Sequence, residues 1–254
     1  MNINEILIGL SIIHNGDWNL IYEDIKKHNN PLKNINIEEK IKMSNAITIM
    51  DVNLYPDRLR NSSKPPFVLF YKGNINLLNE EHILAVVGSR NNSRYGEESC
   101  FNLLKNIKKD SVIISGLARG IDTISHKASL KYGYKTIAVL GSGIDCIYPD
   151  ENVELVNQII KEGGLIISEY PFDVSPNKEQ FLARNRIIAS LSKGLLLVES
   201  FTRSGALNTA LVALNEGKNI GCVPSLIGKN SNCNKLIKDG ANLIETSEDL
   251  DCIF

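Results

Sequence analysis

Net charge is the first thing missing from this chain. In 254 residues, 28 Lys and Arg meet 29 Asp and Glu, leaving a formal charge of −1 at pH 7. That excludes a protein held to nucleic acid or membrane by bulk positive charge, because no net field would steer it there. A polyanion ligand would need a few well-placed cations instead. Paired cysteines are missing too. Cys100, Cys146, Cys222, Cys233 and Cys252 are odd in number and scattered, with no C-x-x-C, which argues against a disulfide framework and a zinc ribbon. No apolar run approaches the roughly 20 residues that span a bilayer. The start, Met1-Asn2-Ile3-Asn4-Glu5, lacks the basic opening and small-residue cleavage site of a signal peptide. These absences set the expectation of a soluble cytoplasmic protein without membrane contact.

Catalytic signatures are equally scarce. The chain has no H-E-x-x-H, no G-x-S-x-G, no G-x-x-x-x-G-K-[ST] and no clustered metal ligands. Gly141-Ser142-Gly143-Ile144-Asp145-Cys146 puts Cys where the dinucleotide fingerprint needs its third glycine, so a nicotinamide or flavin dinucleotide is not expected. Asp122 and His126 are spaced to meet on one helix face; with no nucleophile near them in sequence, they read as a structural pair. Glu199, at the end of an expected strand, is the one carboxylate placed where a hydrolase would want it. No catalytic residue, metal or cofactor is therefore expected.

What the chain does have is a division of labour among its cations. Lys is the default, with 20 against 8 Arg. Five of those Arg (Arg90, Arg119, Arg184, Arg186, Arg203) stand beside Gly, Ser or Asn in expected loops. Guanidinium is favoured over ammonium where a planar fork must meet a phosphate or carboxylate; five structural ion pairs would be the plainer account.

Residues 1 to about 50 show short helical spacings broken at Gly16-Asp17 and Asn29-Asn30-Pro31, too little for an independent domain. A strand at 67–71 follows a proline-bearing connector. From Ile83 onward, apolar β-rich runs (83–87, 111–115, 136–140, 165–168, 195–198, 220–223 and a weak 242–244) alternate with helical stretches at 96–109, 121–132, 152–162, 184–191 and 205–216. Strands apolar on both faces that alternate with helices predict an α/β fold: a parallel sheet covered on both sides.

Ligands of such sheets bind at the carboxyl ends of the strands. Three of those ends are rich in small residues: Gly88-Ser89-Arg90, Gly116-Leu117-Ala118-Arg119-Gly120 and Gly141-Ser142-Gly143. Converging amides and a following helix start would make each an anion cradle, although glycine also merely permits a tight turn. Three cradles in series, two with Arg, suit a phosphate chain. The segment from Glu199 to Thr209 could hold another anion, but Ser204 there reads as an ordinary helix cap.

Taken in order, these loops resemble one family, the DNA-processing protein A (DprA or Smf) family. The resemblance runs through Tyr55-Pro56, Val87-Gly88-Ser89-Arg90, Ser115 to Asp122 with His126, and Leu140 to Asp145. It continues through Tyr148-Pro149, Ser168-Glu169-Tyr170-Pro171, Arg184-Asn185-Arg186-Ile187-Ile188-Ala189, Ser204-Gly205-Ala206-Leu207 and Asn234-Lys235-Leu236-Ile237. It implies an extended Rossmann-like domain over residues 55–254. A reduced, sterile-alpha-motif-like helical segment would occupy 1–54, with no C-terminal winged-helix domain. It further implies a homodimeric, non-enzymatic protein that binds single-stranded DNA, protects it, and loads the RecA recombinase in natural transformation. Arg90 matches the Arg of the family's DNA-binding pocket. Position extends the expected DNA-binding set to Gly88, Ser89, Gly116, Arg119, Gly141, Ser142, Gly143, Arg184, Asn185 and Arg186. The family's Phe-Pro ahead of the Arg-Asn-Arg run is Phe181-Leu182 here. In this scheme Arg90, Arg119, Arg184 and Arg186 meet successive phosphates, and Tyr95, Tyr148, Tyr170 and Phe172 are candidates for base stacking, Tyr148 reading rather as packing beside Pro149. The alternative is a nucleotide sensor or phosphoribohydrolase on the same framework.

Charge is also unevenly distributed. Residues 82–150 hold nine Lys and Arg against six Asp and Glu, and 181–204 hold four against one, whereas 151–180 hold two against six. The near-zero total hides cationic segments that contain the candidate loops.

Overall fold

The computed structural model describes residues 1–29, 31–201 and 204–254. Nine strands build one sheet: β1 (Ala46–Thr48), β2 (Val68–Gly73), β3 (Ile83–Val87), β4 (Val112–Ser115), β5 (Lys135–Gly143), β6 (Leu165–Tyr170), β7 (Gly194–Leu197), β8 (Asn219–Cys222) and β9 (Asn242–Leu243). Their spatial order is β1-β2-β6-β5-β4-β3-β7-β8-β9. From β6 to β9 every neighbouring pair is parallel, while β2 runs antiparallel to both β1 and β6.

The all-apolar strands are explained by what covers them. Successive side chains of a strand point to opposite faces. In β3, Ile83, Ala85 and Val87 join one core cluster while Leu84 and Val86 join another. The first face is covered by α8 (Lys178–Leu191) and α9 (Gly205–Asn215), through Ile187, Ile188, Ala206 and Ala210. The second is covered by α5 (Arg94–Leu104) and α6 (Ile121–Tyr132), through Cys100, Leu104, Ile124 and Ala128. Each such fully buried Leu or Ile contributes roughly 1.5–3 kcal/mol. The expected Rossmann-like α/β architecture is the one observed.

The N-terminal helices, α1 (Ile3–Ile13), α2 (Trp18–Lys26) and α3 (Glu38–Met43), are short, as is the single turn α4 (Asp57–Arg60) that follows β1. Leu7 and Ile8 of α1 and Ile41 of α3 pack with Val68 and Phe70 of β2, Ile166 of β6, and Leu155 and Ile159 of α7 (Val153–Lys161). Strand β1 lies within this segment and was not expected. Its three residues are too few for alternation to register, yet they pair with β2 and tie the segment into the sheet. Helix α8 starts six residues before its expected first residue, at a capping box in which Asn177 and Gln180 satisfy each other's backbone amides.

Candidate functional site

The sheet order reverses between β3 and β7. Chain progress from β3 runs through β4, β5 and β6 to one side, and from β7 through β8 and β9 to the other. Crevices of open α/β sheets form at such a reversal, outside the carboxyl ends of the strands. Here a cleft of about 930 Å³ opens there, walled by residues 88–91, the cleft-facing side of α8, and the start of α9.

The loop from β3 to α5 is sewn down internally. Ser89 N–H donates to the Glu199 carbonyl (2.7 Å), and Ile121 N–H to the Ser89 carbonyl (3.1 Å). Asn91 N–H donates to Ser89 Oγ (3.2 Å). The amide and hydroxyl of Ser93, the N-cap of α5, both donate to the Glu199 carboxylate (2.8 and 2.7 Å). Glu199 is 7% exposed. A side chain at Gly96 would press on that carboxylate, and one at Gly88 on Ile121. Arg90 stands out of this fixed loop, exposed, with its guanidinium over the Phe181 ring at 5.5 Å. Phe181 in turn meets Tyr148 at 5.6 Å.

Arg184 lies beneath the cleft and is 3% exposed. Its Nη1 donates to the carbonyls of Gly116 (2.5 Å) and Val139, and its Nε to Asn185 Oδ1 (3.3 Å). Gly116 is required by this packing, since any side chain there would collide with the guanidinium. Burial pulls the Arg184 pKa down to about 10, opposed by Asp122, so the group stays charged at neutral pH. Burial likewise pushes the Asp122 carboxyl up; Arg184, the Ala118 amide, Arg90 and the Gly116 amide oppose it. Both Asp122 and Arg184 line the cleft. The N-terminus of α9 faces the same space: Ser204 Oγ caps Ala206 N–H (3.1 Å), and above Gly205 the space is open.

The expected site residues thus divide. Gly88, Ser89, Arg90, Arg184 and Asn185 line the cleft, with Gly116 packed directly against Arg184. Arg119 does not line it; it is 60% exposed and forms a two-pronged pair with Glu151 (3.2 and 3.1 Å). Arg186 points to the other side of α8, into a second groove, where it binds Glu169 (2.5 Å) and the carbonyls of Lys64 and Ala183. Gly141, Ser142 and Gly143 continue β5 rather than forming a cradle. Gly143 N–H donates to the Val174 carbonyl (2.8 Å), Ser142 Oγ to the Cys146 carbonyl (2.6 Å), and Gly141 makes room for Phe181. Arg203 lies outside the described residues.

Other expectations change as well. His126 pairs with Thr136 Oγ1 (2.7 Å), not with Asp122. The Thr136 hydroxyl already donates to the Ile113 carbonyl (2.8 Å), so it accepts from His126 Nδ1–H. Burial lowers the His126 pKa to about 3. Tyr148, expected to pack, is 46% exposed and walls the cleft. Tyr95 bonds the Pro224 carbonyl (2.8 Å), Tyr170 is buried beside the second groove, and Phe172 lies against Phe70. Phe181 and Lys178 were missed as site residues because they precede the expected start of α8; the Asn177–Gln180 spacing was the signal that could have found that turn. Among the described residues, no group of three or more His, Cys, Asp or Glu is placed to hold a metal ion, and no helix is long and apolar enough to cross a membrane.

The cleft thus combines a buried and an exposed guanidinium group, an aromatic wall and the capped start of α9. A model of the family described as DNA recombination-mediator protein A matches residues 45–252. The chain belongs to that family. It is 41% identical over 207 residues to DNA processing protein DprA of Streptococcus pneumoniae, covering 81% of this chain and 72% of that one. It is also 41% identical over 203 residues to protein Smf of Escherichia coli K12, covering 79% of this chain and 54% of that one. The chain thus spans about half the length of the second family member. Among solved structures, DprA of Streptococcus pneumoniae superposes with a TM-score of 0.81 at 32% identity, over 100% of this chain and 94% of that one. DNA processing protein A of Helicobacter pylori, described for its single-stranded DNA binding mode, gives 0.73 at 28% identity over 84% of this chain and 99% of that one.

Proposed function

We propose that the protein binds single-stranded DNA in the cleft between β3 and β7 and acts as a recombination mediator, not as an enzyme. The observation that carries this reading is the exposed Arg90 guanidinium held over the Phe181–Tyr148 pair. It offers a phosphate contact and a stacking surface side by side, the two elements of strand binding without sequence preference. The relative described for single-stranded DNA binding supports it. Hydrolysis is disfavoured because Glu199, the carboxylate a hydrolase would use, has both oxygens bonded to Ser93. Handing the strand to RecA, working as a homodimer, and serving transformation in the cytoplasm extend the reading from what the family resemblance implies.

The geometry revises the expected salt dependence. Arg90, Arg184 and Lys178 line the cleft, whereas Arg119 and Arg186 do not. Arg184 is buried with its Nη1 and Nε bonded to protein oxygens, so the two exposed cations, Arg90 and Lys178, give a log–log slope of about −1.4, against roughly −3 for four. Filter binding of oligo-dT across a salt series tests this. Arg90→Ala is expected to weaken binding about tenfold and to flatten the slope by about 0.7. Unchanged affinity and slope would remove the groove from consideration. Mobility shifts with and without RecA test the handover.

A further inference from the structure

The expected phosphate cradle after β3 already holds an anion, and that anion belongs to the protein. The Glu199 carboxylate sits at the N-terminus of α5, an 11-residue helix, where it accepts from the amide and hydroxyl of the N-cap Ser93. A helix start carries partial positive charge and is a ready site for phosphate. The Glu199 backbone carbonyl meanwhile takes the amide of Ser89, at the other end of the same loop. One residue therefore grips both ends of the segment 89–93, and Arg90 projects from its middle.

We infer that Glu199 is a resident anion that sets the specificity of the cleft: it fixes Arg90 for a strand and denies the α5 start to a mononucleotide phosphate. This rests on the strand-binding reading above. Glu199 touches no ligand in this scheme and acts through Ser93 and the loop. Its side-chain carboxylate, not its backbone, is what substitution removes. Loss of the carboxylate frees two donors at a positive helix end and lets the Arg90 loop relax.

The test uses the full chain carrying Arg90→Ala, Glu199→Ala, Glu199→Gln or the double substitution Arg90→Ala/Glu199→Ala. Labelled oligo-dT affinity is read by fluorescence anisotropy, and dTMP binding by line broadening of its ³¹P resonance. Glu199→Ala is expected to weaken oligo-dT binding about as much as Arg90→Ala, roughly tenfold. The double variant should be no weaker than either single one, because both remove the same contact. Glu199→Gln should recover most of the affinity, since its amide oxygen still accepts from Ser93. The dTMP signal should broaden with Glu199→Ala and stay sharp with the wild-type chain. Multiplying losses, wild-type affinity in Glu199→Ala, or equal dTMP broadening in both proteins would overturn the inference. Should Glu199→Ala not fold, Ser93→Ala removes the hydroxyl bond to the Glu199 carboxylate and leaves the amide bond; a non-additive loss with Arg90→Ala supports the inference and an additive one rejects it. If Arg90→Ala alone leaves oligo-dT binding intact, the strand-binding groove fails, while the dTMP comparison still decides whether Glu199 bars phosphate.

Discussion

Two grooves flank the first turns of α8, and Asn177 lines both. Arg184 forms the buried floor of one, bonded to the Gly116 and Val139 carbonyls, and Arg186, two residues along the same helix, lines the other. Sequence makes the two arginines look alike; their surroundings separate them. On the cleft side the charged lining among the described residues is Arg90, Lys178 and Arg184 against Asp122. In the second groove, Lys64 and Arg186 face Asp17, Glu169 and Glu179, and Arg186 is bonded directly to Glu169. Lys64 sits over Trp18, which stacks on Tyr22 and Phe67. The lesson is that counter-ions decide which arginines remain available to a polyanion. A cation whose hydrogen bonds end on protein carboxylates or carbonyls holds the fold together, and only the remainder can meet a ligand.

The largest effect should come from breaking the cleft floor. Arg184→Ala strands the buried carbonyls of Gly116 and Val139, each left without its donor. At about 2 kcal/mol for each, the loss approaches 4 kcal/mol. Urea unfolding at neutral pH reads it; a variant as stable as the parent would mean the guanidinium is not bonded as described. Next comes the other groove. Arg186→Ala leaves Glu169, 6% exposed at its side chain, without its partner. Breaking a buried pair costs about 3 kcal/mol. The comparison is sharpest here, because the folded variant should keep its oligo-dT affinity and salt slope. If those fell as they do for Arg90→Ala, the two grooves would have to be treated as one site.

Asp122→Asn changes a trend rather than a midpoint. Burial raises the Asp122 pKa in the folded state, so between its ordinary and raised values the native protein binds more protons than the unfolded chain. Stability then falls as pH rises through that window, and it is fully retained only below the ordinary aspartate pKa. Asn has no such titration, so its stability curve should be flatter from pH 4 upward. Urea midpoints measured at half-unit pH steps give the comparison; parallel curves for the two proteins would refute the assignment.

Much of the fold was legible because the sheet's central strands are covered on both faces. A strand such as β3 must be apolar throughout, and five consecutive buried residues announce it. β1 was not legible, since three residues on an edge carry no such run. Within the site, Gly88-Ser89-Arg90 was found through its composition, and Arg90 does line the cleft. The cradles were misread for a physical reason. Glycine-rich turns signal converging amides, but nothing local tells which acceptors those amides meet. Glu199 reaches Ser93 across 106 residues of sequence, and Val174 reaches Gly143 across the end of β6. Such long-range acceptors convert an anion cradle into a closed turn. At the start of α9 the reading of Ser204 as a helix cap holds, since its Oγ accepts from Ala206 N–H; what the sequence did not tell is that this helix start also borders the cleft.

Arg119 gives the smallest expected effect and the cleanest control on that argument. Its loop is rich in small residues, as the β3 turn is, and sequence alone grouped it with Arg90. The side chain is 60% exposed and both prongs rest on Glu151. That pair raises the Arg119 pKa by hydrogen bonding first and charge attraction second, and a surface pair of this kind is screened by salt. Arg119→Ala should therefore leave the thermal midpoint and the oligo-dT affinity at wild-type values. Its salt slope should stay well short of the change of about 0.7 that loss of a phosphate contact produces. Run beside Arg90→Ala in one salt series, it separates an arginine in a glycine-rich loop from an arginine in the cleft. A slope change equal to that of Arg90→Ala would place the strand across the Glu151 side of the sheet edge and extend the site toward α7.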